Sequence, residues 1–436
     1  MFLSGINHPW YGYGHDFGGD RGLSHACHMR QVLLDTREAG GNAIRVWVHA
    51  DSAHTPVFRA DGTVSASDSK GTLIPDLRRY LRWAQQLNLL VVLCLWNAAV
   101  LPNTRGEYGL FFSRSNLLSY LNTVLTPMVM ALSNESALAA WEVINEPEGS
   151  VAPGVSSATS ACFDTNLLNH SGTGWAQSAD KGGGPPVPMS LMQRFVGLHA
   201  AAIHAADPLA LVTTGQWAER SLSDRVGRQY FSRACLSAAT GGAWGGAWGG
   251  AWGGAWGGAW GGGEDREDMK GGGHAHTEIG STPPRGAHLD FYQTHAYAHP
   301  AGAAYAPTSP FRMDAGGYGL DAPLVVGEFA RGEHSGGLSA REQYATLLAR
   351  GYAGAWGWAA SNREHFDGMR AIRDAPAVAS VRLPPLLPSQ QVDACPPSPP
   401  RRGRRAGRKE GPRDYFEGIS SDDYLASVFQ GRPPVG

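Results

Sequence analysis

Charge of either sign is scarce and nearly balanced: 36 Lys and Arg stand against 38 Asp and Glu among 436 residues, a net charge of −2. That balance gives no whole-chain attraction to nucleic acid or to an anionic membrane surface, so neither is expected as a partner. Apolar runs long enough to cross a bilayer are missing too, which argues against a membrane-spanning chain. Cysteine is sparse. The five residues Cys27, Cys94, Cys162, Cys235 and Cys395 are too scattered to supply the paired ligands of a zinc site, and no metal or cofactor is expected. Cys94 lies inside an apolar run and reads as core. Cys162 and Cys235 lie in loop-like stretches where one disulfide can form, which would favour an oxidising compartment. No leader peptide is visible, because Met1 runs straight into Phe2-Leu3-Ser4-Gly5-Ile6-Asn7, which reads as a strand. Either the chain stays inside the cell, or the sequence begins downstream of its natural start.

What is abundant is apolar residue, 42% of the chain, enough for a large core. Strand-like runs cover Phe2–Asn7, Asn42–His49, Leu89–Trp96, Leu138–Ile144, Leu209–Gly215, Asp290–His295, Pro323–Glu328 and Gly354–Trp358. They are continuous rather than alternating, as strands buried on both faces are. Helix-like segments at Leu73–Leu87, Leu117–Leu132, Met189–Ala206 and Ser339–Arg350 separate several of them, the last opened by a Ser339/Glu342 capping box. Eight strands with intervening helices predict an α/β fold, a closed (β/α)8 TIM barrel over residues 1–380. Two stretches break the rhythm. Gly241–Gly263 repeats Gly-Gly-Ala-Trp five times, and residues 240–286 read as a low-complexity insert too rich in glycine to order. Residues 381–436 turn Pro-rich and then basic, and read as a disordered, solvated tail.

The chemistry concentrates at strand ends. Trp141-Glu142-Val143-Ile144-Asn145-Glu146-Pro147 is an apolar run that Pro147 must terminate, leaving Glu146 at the barrel rim with Asn145 beside it. Pro323-Leu324-Val325-Val326-Gly327-Glu328-Phe329 repeats the device, with Gly327 expected to let a sugar ring approach. An isolated strand-end glutamate usually caps or pairs with an arginine. Two of them suit hydrolysis of a glycosidic bond, Glu146 as acid and then base, Glu328 as nucleophile. Arg45, flanked by Ile44 and Val46, needs a buried partner and can keep Glu328 ionised. His295 and Tyr297 end the sixth strand, the tyrosine placed to orient the nucleophile. Trp10, Trp47, Trp96, Trp217 and Trp358 lie near strand ends and offer flat apolar platforms to a pyranose, Trp358 beneath the reacting sugar.

These residues resemble the β-mannanases of glycoside hydrolase family 5, in particular the mollusc and arthropod branch. The likeness runs from about Phe2 to Asp374 and rests on Arg45-Val46-Trp47-Val48-His49, Leu95-Trp96-Asn97-Ala98-Ala99-Val100, Trp141 to Gly149, Gly172-Thr173-Gly174-Trp175-Ala176, Asp290 to His295 and Gly354 to Trp358. It implies retaining endo-hydrolysis of β-1,4-mannosidic bonds in mannan, glucomannan or galactomannan by a secreted monomer. It also implies Glu146 and Glu328 as the catalytic pair, with Arg45, Asn145, His295, Tyr297 and Trp358 around the cleaved bond, and a Cys162–Cys235 bridge as in some relatives. The repeat insert and basic tail have no counterpart in that pattern. Two alternatives stand beside it: a β-1,4-glucanase of the same superfamily, and a barrel that binds or adheres to polysaccharide without cleaving it.

Overall fold

Each of the eight apolar runs forms a parallel strand, and the eight close into one barrel in a computed structural model that describes residues 1–20, 22–23, 25–98, 106–168, 186–241, 286–385 and 387. We number the barrel strands β1 (Leu3–Asn7), β2 (Ala43–Ala50), β3 (Leu90–Asn97), β4 (Leu138–Asn145), β5 (Val212–Gln216), β6 (Tyr292–Ala296), β7 (Leu324–Phe329) and β8 (Gly354–Gly357). Chain neighbours pair with each other and β8 returns to β1, the closure expected of the (β/α)8 architecture. A short antiparallel hairpin, Val57–Phe58 with Val64–Ala66, follows β2. No helix among the described residues is long and apolar enough to cross a membrane.

Helices pack the outside of the cylinder. They are α1 (Ala26–Glu38), α2 (Leu73–Gln86), α3 (Gly106–Phe112), α4 (Arg114–Tyr120), α5 (Thr126–Leu132), α6 (Met189–Ala206), α7 (Arg233–Thr240), α8 (Ala340–Ala349), α9 (Arg363–Ile372) and α10 (Pro376–Ala379). The helix expected over Leu117–Leu132 is broken by a π turn at Leu121–Leu125, just before Pro127, which has no N–H to give to an α-helical ladder. The Ser339/Glu342 capping box is present at α8. β5 begins at Val212 rather than Leu209, because Leu209 and Ala210 bond back to Asp207 in a turn and Leu209 is exposed.

The barrel interior is stratified. Its floor, at the N-terminal ends of the strands, is an apolar plug of Ala43, Val92, Ala140, Phe291, Val325 and Trp356. Two residues further along their strands, Arg45, Glu142 and Gln293 form a polar tier, completed by Asn7. The larger hydrophobic cluster fills the layer between strands and helices and also takes in Trp10, Trp47 and Trp358 at the rim. A disulfide joins Cys162 to Cys235 at the start of α7. Residues 242–285 and 388–436, which hold most of the expected insert and tail, lie outside the described residues. At their borders the chain is bound: Thr240 ends α7 with its hydroxyl on Leu236 O, and Val381, Leu383 and Pro384 bond to Asn88 and Gln85.

Candidate active site

Arg45 organises the polar tier. A guanidinium has five N–H donors, and here all five are used on four side chains. Nε and Nη2 grip the two oxygens of Glu142, Nη2 also donates to Asn145 Oδ1 (2.7 Å), and Nη1 donates to Asn7 Oδ1 (2.9 Å) and Glu328 Oε1 (2.6 Å). Burial opposes its charge, but Glu142 and Glu328 outweigh that cost and hold the guanidinium firmly protonated. Asn7 is fixed in turn by donating to the carbonyls of Gly327, Trp356 and Gly357. Gln293 donates to Glu142, and Asn145 donates to Asn97 Oδ1. Every strand except β5 contributes a group to this tier or its supports, and Gly215 of β5 makes room for it: a Cβ there would lie 2.5 Å from Glu142 Oε1.

Above the tier stand the two strand-end carboxyls. Glu146, the residue after β4, adopts a left-handed backbone (φ 46°) and donates its N–H to Gly215 O. A non-glycine residue held there is strained, and such strain collects at functional sites. Its Oε1 lies 2.6 Å from His295 Nδ1, which is also 3.5 Å from Glu328 Oε2. The three groups present ligand-type atoms within 4.8 Å of one another, so the carboxyls face each other across a narrow gap. Tyr297 donates its hydroxyl to Glu328 Oε2 at 2.7 Å. Glu328 therefore has a guanidinium and a phenol on it, and Glu146 has neither.

This asymmetry sets the proton. Burial, then the charges of Glu328 and Glu148, push Glu146 well above the usual carboxyl range. Burial also raises Glu328, to about 7, but Arg45 and Tyr297 pull it down, so Glu328 is the more acidic of the pair. Burial and Arg45 keep His295 neutral. Glu148, also buried, is raised to about 7 by desolvation and accepts the backbone N–H of Trp217 at 3.1 Å. The arrangement can deliver a proton from one carboxyl while presenting a negative oxygen from the other.

Four of the expected tryptophans reach this region and one does not. Trp10, Trp47 and Trp358 pack edge to face, with centroids 5.6 to 6.3 Å apart, and Arg45 lies 4.1 Å over the Trp47 ring. Trp217 stacks on Tyr297 at 5.4 Å. Both line a cleft of about 380 Å³ together with His295, His299 and Tyr305. Trp96, expected at the substrate, instead faces the helix layer and donates to His199 Nε2 on α6. The cause is a slip of one residue: Val92 and Cys94 point inward, but Asn97 rather than Trp96 takes the next inward place, opposite Asn145. Gly327 also differs from expectation, since a Cβ there would strike Gln293 at 2.5 Å inside the barrel rather than a ligand. Sequence reasoning passed over Glu142, Asn7, Gln293 and Glu148. The signal for Glu142 was present, a lone charge between Trp141 and Val143 that burial obliges to pair, the same argument that found Arg45.

Comparison with known proteins decides the family. The chain is 34% identical over 375 residues to the mannan endo-1,4-β-mannosidase of Mytilus edulis, an alignment spanning 86% of this chain and 87% of that protein. The chain belongs to the β-mannanases of glycoside hydrolase family 5. This glycoside hydrolase is also 35% identical over 361 residues to the enzyme of the same name from Cryptopygus antarcticus, across 82% of this chain and 80% of its relative. The crystal structure of the M. edulis β-mannanase superposes with a TM-score of 0.73 at 32% identity, over 88% of this chain and 94% of that one. No family model matches the sequence.

Proposed function

We propose that this mannanase-family chain cleaves internal β-1,4-mannosidic bonds of mannan, glucomannan or galactomannan with retention of configuration. The observation that carries the proposal is the facing pair Glu146 and Glu328, with oxygens inside 4.8 Å and only Glu328 held by a cation. Retaining enzymes keep their carboxyls about 5–5.5 Å apart, whereas inverting ones leave about 6.5–9.5 Å for a water. In the first step Glu328 attacks the anomeric carbon while Glu146 protonates the departing glycosidic oxygen. Forming the ester removes the charge on Glu328, which lowers the proton affinity of Glu146 and readies it to take a proton from water in the second step. Tyr297 and Arg45 aim the nucleophile, and His295 holds Glu146 through Nδ1. Asn145 uses its Oδ1 on Arg45 and one N–H on Asn97, leaving a second N–H for a sugar hydroxyl. Trp358, whose backbone N–H bonds the carbonyl of Phe329 next to Glu328, lies under the reacting sugar, with Trp10 buttressing it. Trp217 extends the platform into the cleft.

The polysaccharide preference comes from the relatives' names, and a panel assay tests it. Purified protein should release manno-oligosaccharides from mannan and little from carboxymethyl cellulose; the reverse order makes it a glucanase. Proton NMR of the first product should report the β anomer, and an α anomer would remove the double displacement. Glu328→Ala should end turnover, and Glu146→Ala should lower it about 10²- to 10⁴-fold. Polysaccharide retention without any product would leave only a binding barrel.

A further inference from the structure

At the opposite end of the barrel from the cleft, three residues outside the catalytic machinery converge. His204 lies in the last turn of α6, His288 and Asp290 lie just before β6, and their ligand-type atoms fall within 4.8 Å of one another. His204 Nδ1 is 2.7 Å from the carbonyl oxygen of Gly286. A carbonyl only accepts, so Nδ1 carries a proton, and Nε2 faces Asp290 Oδ2 at 2.9 Å, a distance that a second proton on Nε2 bridges as an ordinary hydrogen bond. When that proton is absent, Nε2 turns a lone pair on the same oxygen, and a metal ion can take the proton's place. The other Asp290 oxygen is 3.5 Å from His288 Nε2, and the two imidazoles lie nearly parallel with centroids 4.5 Å apart.

We propose that His204, His288 and Asp290 form a second, non-catalytic site for a divalent transition metal of the zinc class. Ligand bonds of about 2.0–2.2 Å put two ligands of one ion at most about 4.4 Å apart, and the 2.9 and 3.5 Å separations fall within that reach. The Gly286 carbonyl on His204 Nδ1 is the outer bond that fixes a ligating imidazole in its tautomer and direction. Asp290 is likewise fixed, because its Oδ2 accepts the N–H of Val212 at the start of β5. All three side chains are partly exposed, so water can complete a tetrahedral shell. Arg233 adds a positive charge nearby that opposes a cation, so affinity rests on imidazole coordination more than on charge. Imidazole selects zinc, nickel or copper over calcium or magnesium. A bound ion would tie the chain at 286–290 to α6 and β5.

A proton on His204 Nε2 is the competing occupant, and zinc binding separates the two. Tag-free full-length protein is dialysed against zinc and its metal content compared with that of His288→Gln, which leaves the His204–Asp290 contact in place. The parent should retain one zinc per chain more than the variant, and zinc should raise its thermal unfolding midpoint more. A second variant, Asp290→Asn, keeps an acceptor for Val212 and should lose the same equivalent. His274 and His276, the two histidines of the expected insert, are the control: His274→Gln/His276→Gln should bind as the parent does. Equal zinc content in the parent and His288→Gln, or loss of the equivalent in the His274/His276 variant instead, overturns the site. Mannan hydrolysis by His288→Gln is expected unchanged, which also confirms that it folds.

Discussion

Arg45 shows how much of a candidate active site can depend on one cation. It holds Glu142, Asn145, Asn7 and Glu328 at once, with nothing of its side chain exposed. Replacing it with methionine leaves two carboxylates buried without their partner, which costs about 3–5 kcal/mol, measurable by urea unfolding. Lysine keeps the charge but cannot span four acceptors in the guanidinium plane, so Arg45→Lys should also lose stability and turnover. The pH profile tests the carboxyl pair. In the proposed double displacement Glu328 acts ionised, so activity should rise as pH climbs through its pKa, and Tyr297→Phe, by removing a bond that favours the charge, should move that acid limb to higher pH. In the same proposal Glu146 acts protonated, so activity should fall at the alkaline limb. Glu148→Gln removes a negative charge that helps keep the proton on Glu146 and should move the alkaline limb to lower pH. An alkaline limb that stays put in Glu148→Gln would reduce Glu148 to a bracket for the Trp217 backbone. Glu146 and Glu328 were legible in the sequence because a carboxyl ending an apolar strand is conspicuous. Glu148 was not, because nothing in Glu-Pro-Glu says which carboxyl faces the cleft and which turns back to receive a backbone N–H.

The strands carry these residues to one place, and their irregularities matter as much as their regularity. β3 and β4 slip together: Cys94 stays opposite Glu142, and Asn97 stays opposite Asn145, but three residues rather than two separate each inward pair. That slip points both asparagines inward, one beside Arg45, and sends Trp96 into the helix layer. Existence and order of all eight strands could be read from apolar runs, because both faces are buried. The slip could not, since a continuous apolar run has no alternation to betray its phase. Two glycines let the polar tier close. Gly327→Ala should displace Gln293 and, through it, Glu142, costing about 1–3 kcal/mol and lowering kcat. A thermal midpoint equal to that of the parent would mean the tier has slack that its distances do not suggest.

At the scale of the molecule, the apolar floor, the polar tier and the open rim form one cylinder sealed below and accessible above. The closed architecture was legible from the count and spacing of strands. The borders of the insert were less so: composition changes at Thr240, yet Thr240 still belongs to α7. The disulfide closes a loop spanning 73 positions, for which loop entropy predicts about 4 kcal/mol. Cys162→Ser/Cys235→Ser, or reductant, should therefore lower the unfolding midpoint by several degrees while mannan hydrolysis persists at low temperature. Thr240 approaches Gly197 of α6, and Gly286 accepts a bond from His204 on the same helix. Those positions are seven residues apart on α6, roughly 10 Å along one helix. Positions 241 and 286 thus flank one helix on the side of the barrel away from the cleft. The sequence between them can therefore vary in length while its two ends stay anchored to α6, and excising residues 242–285 should leave cleavage of mannan as it was.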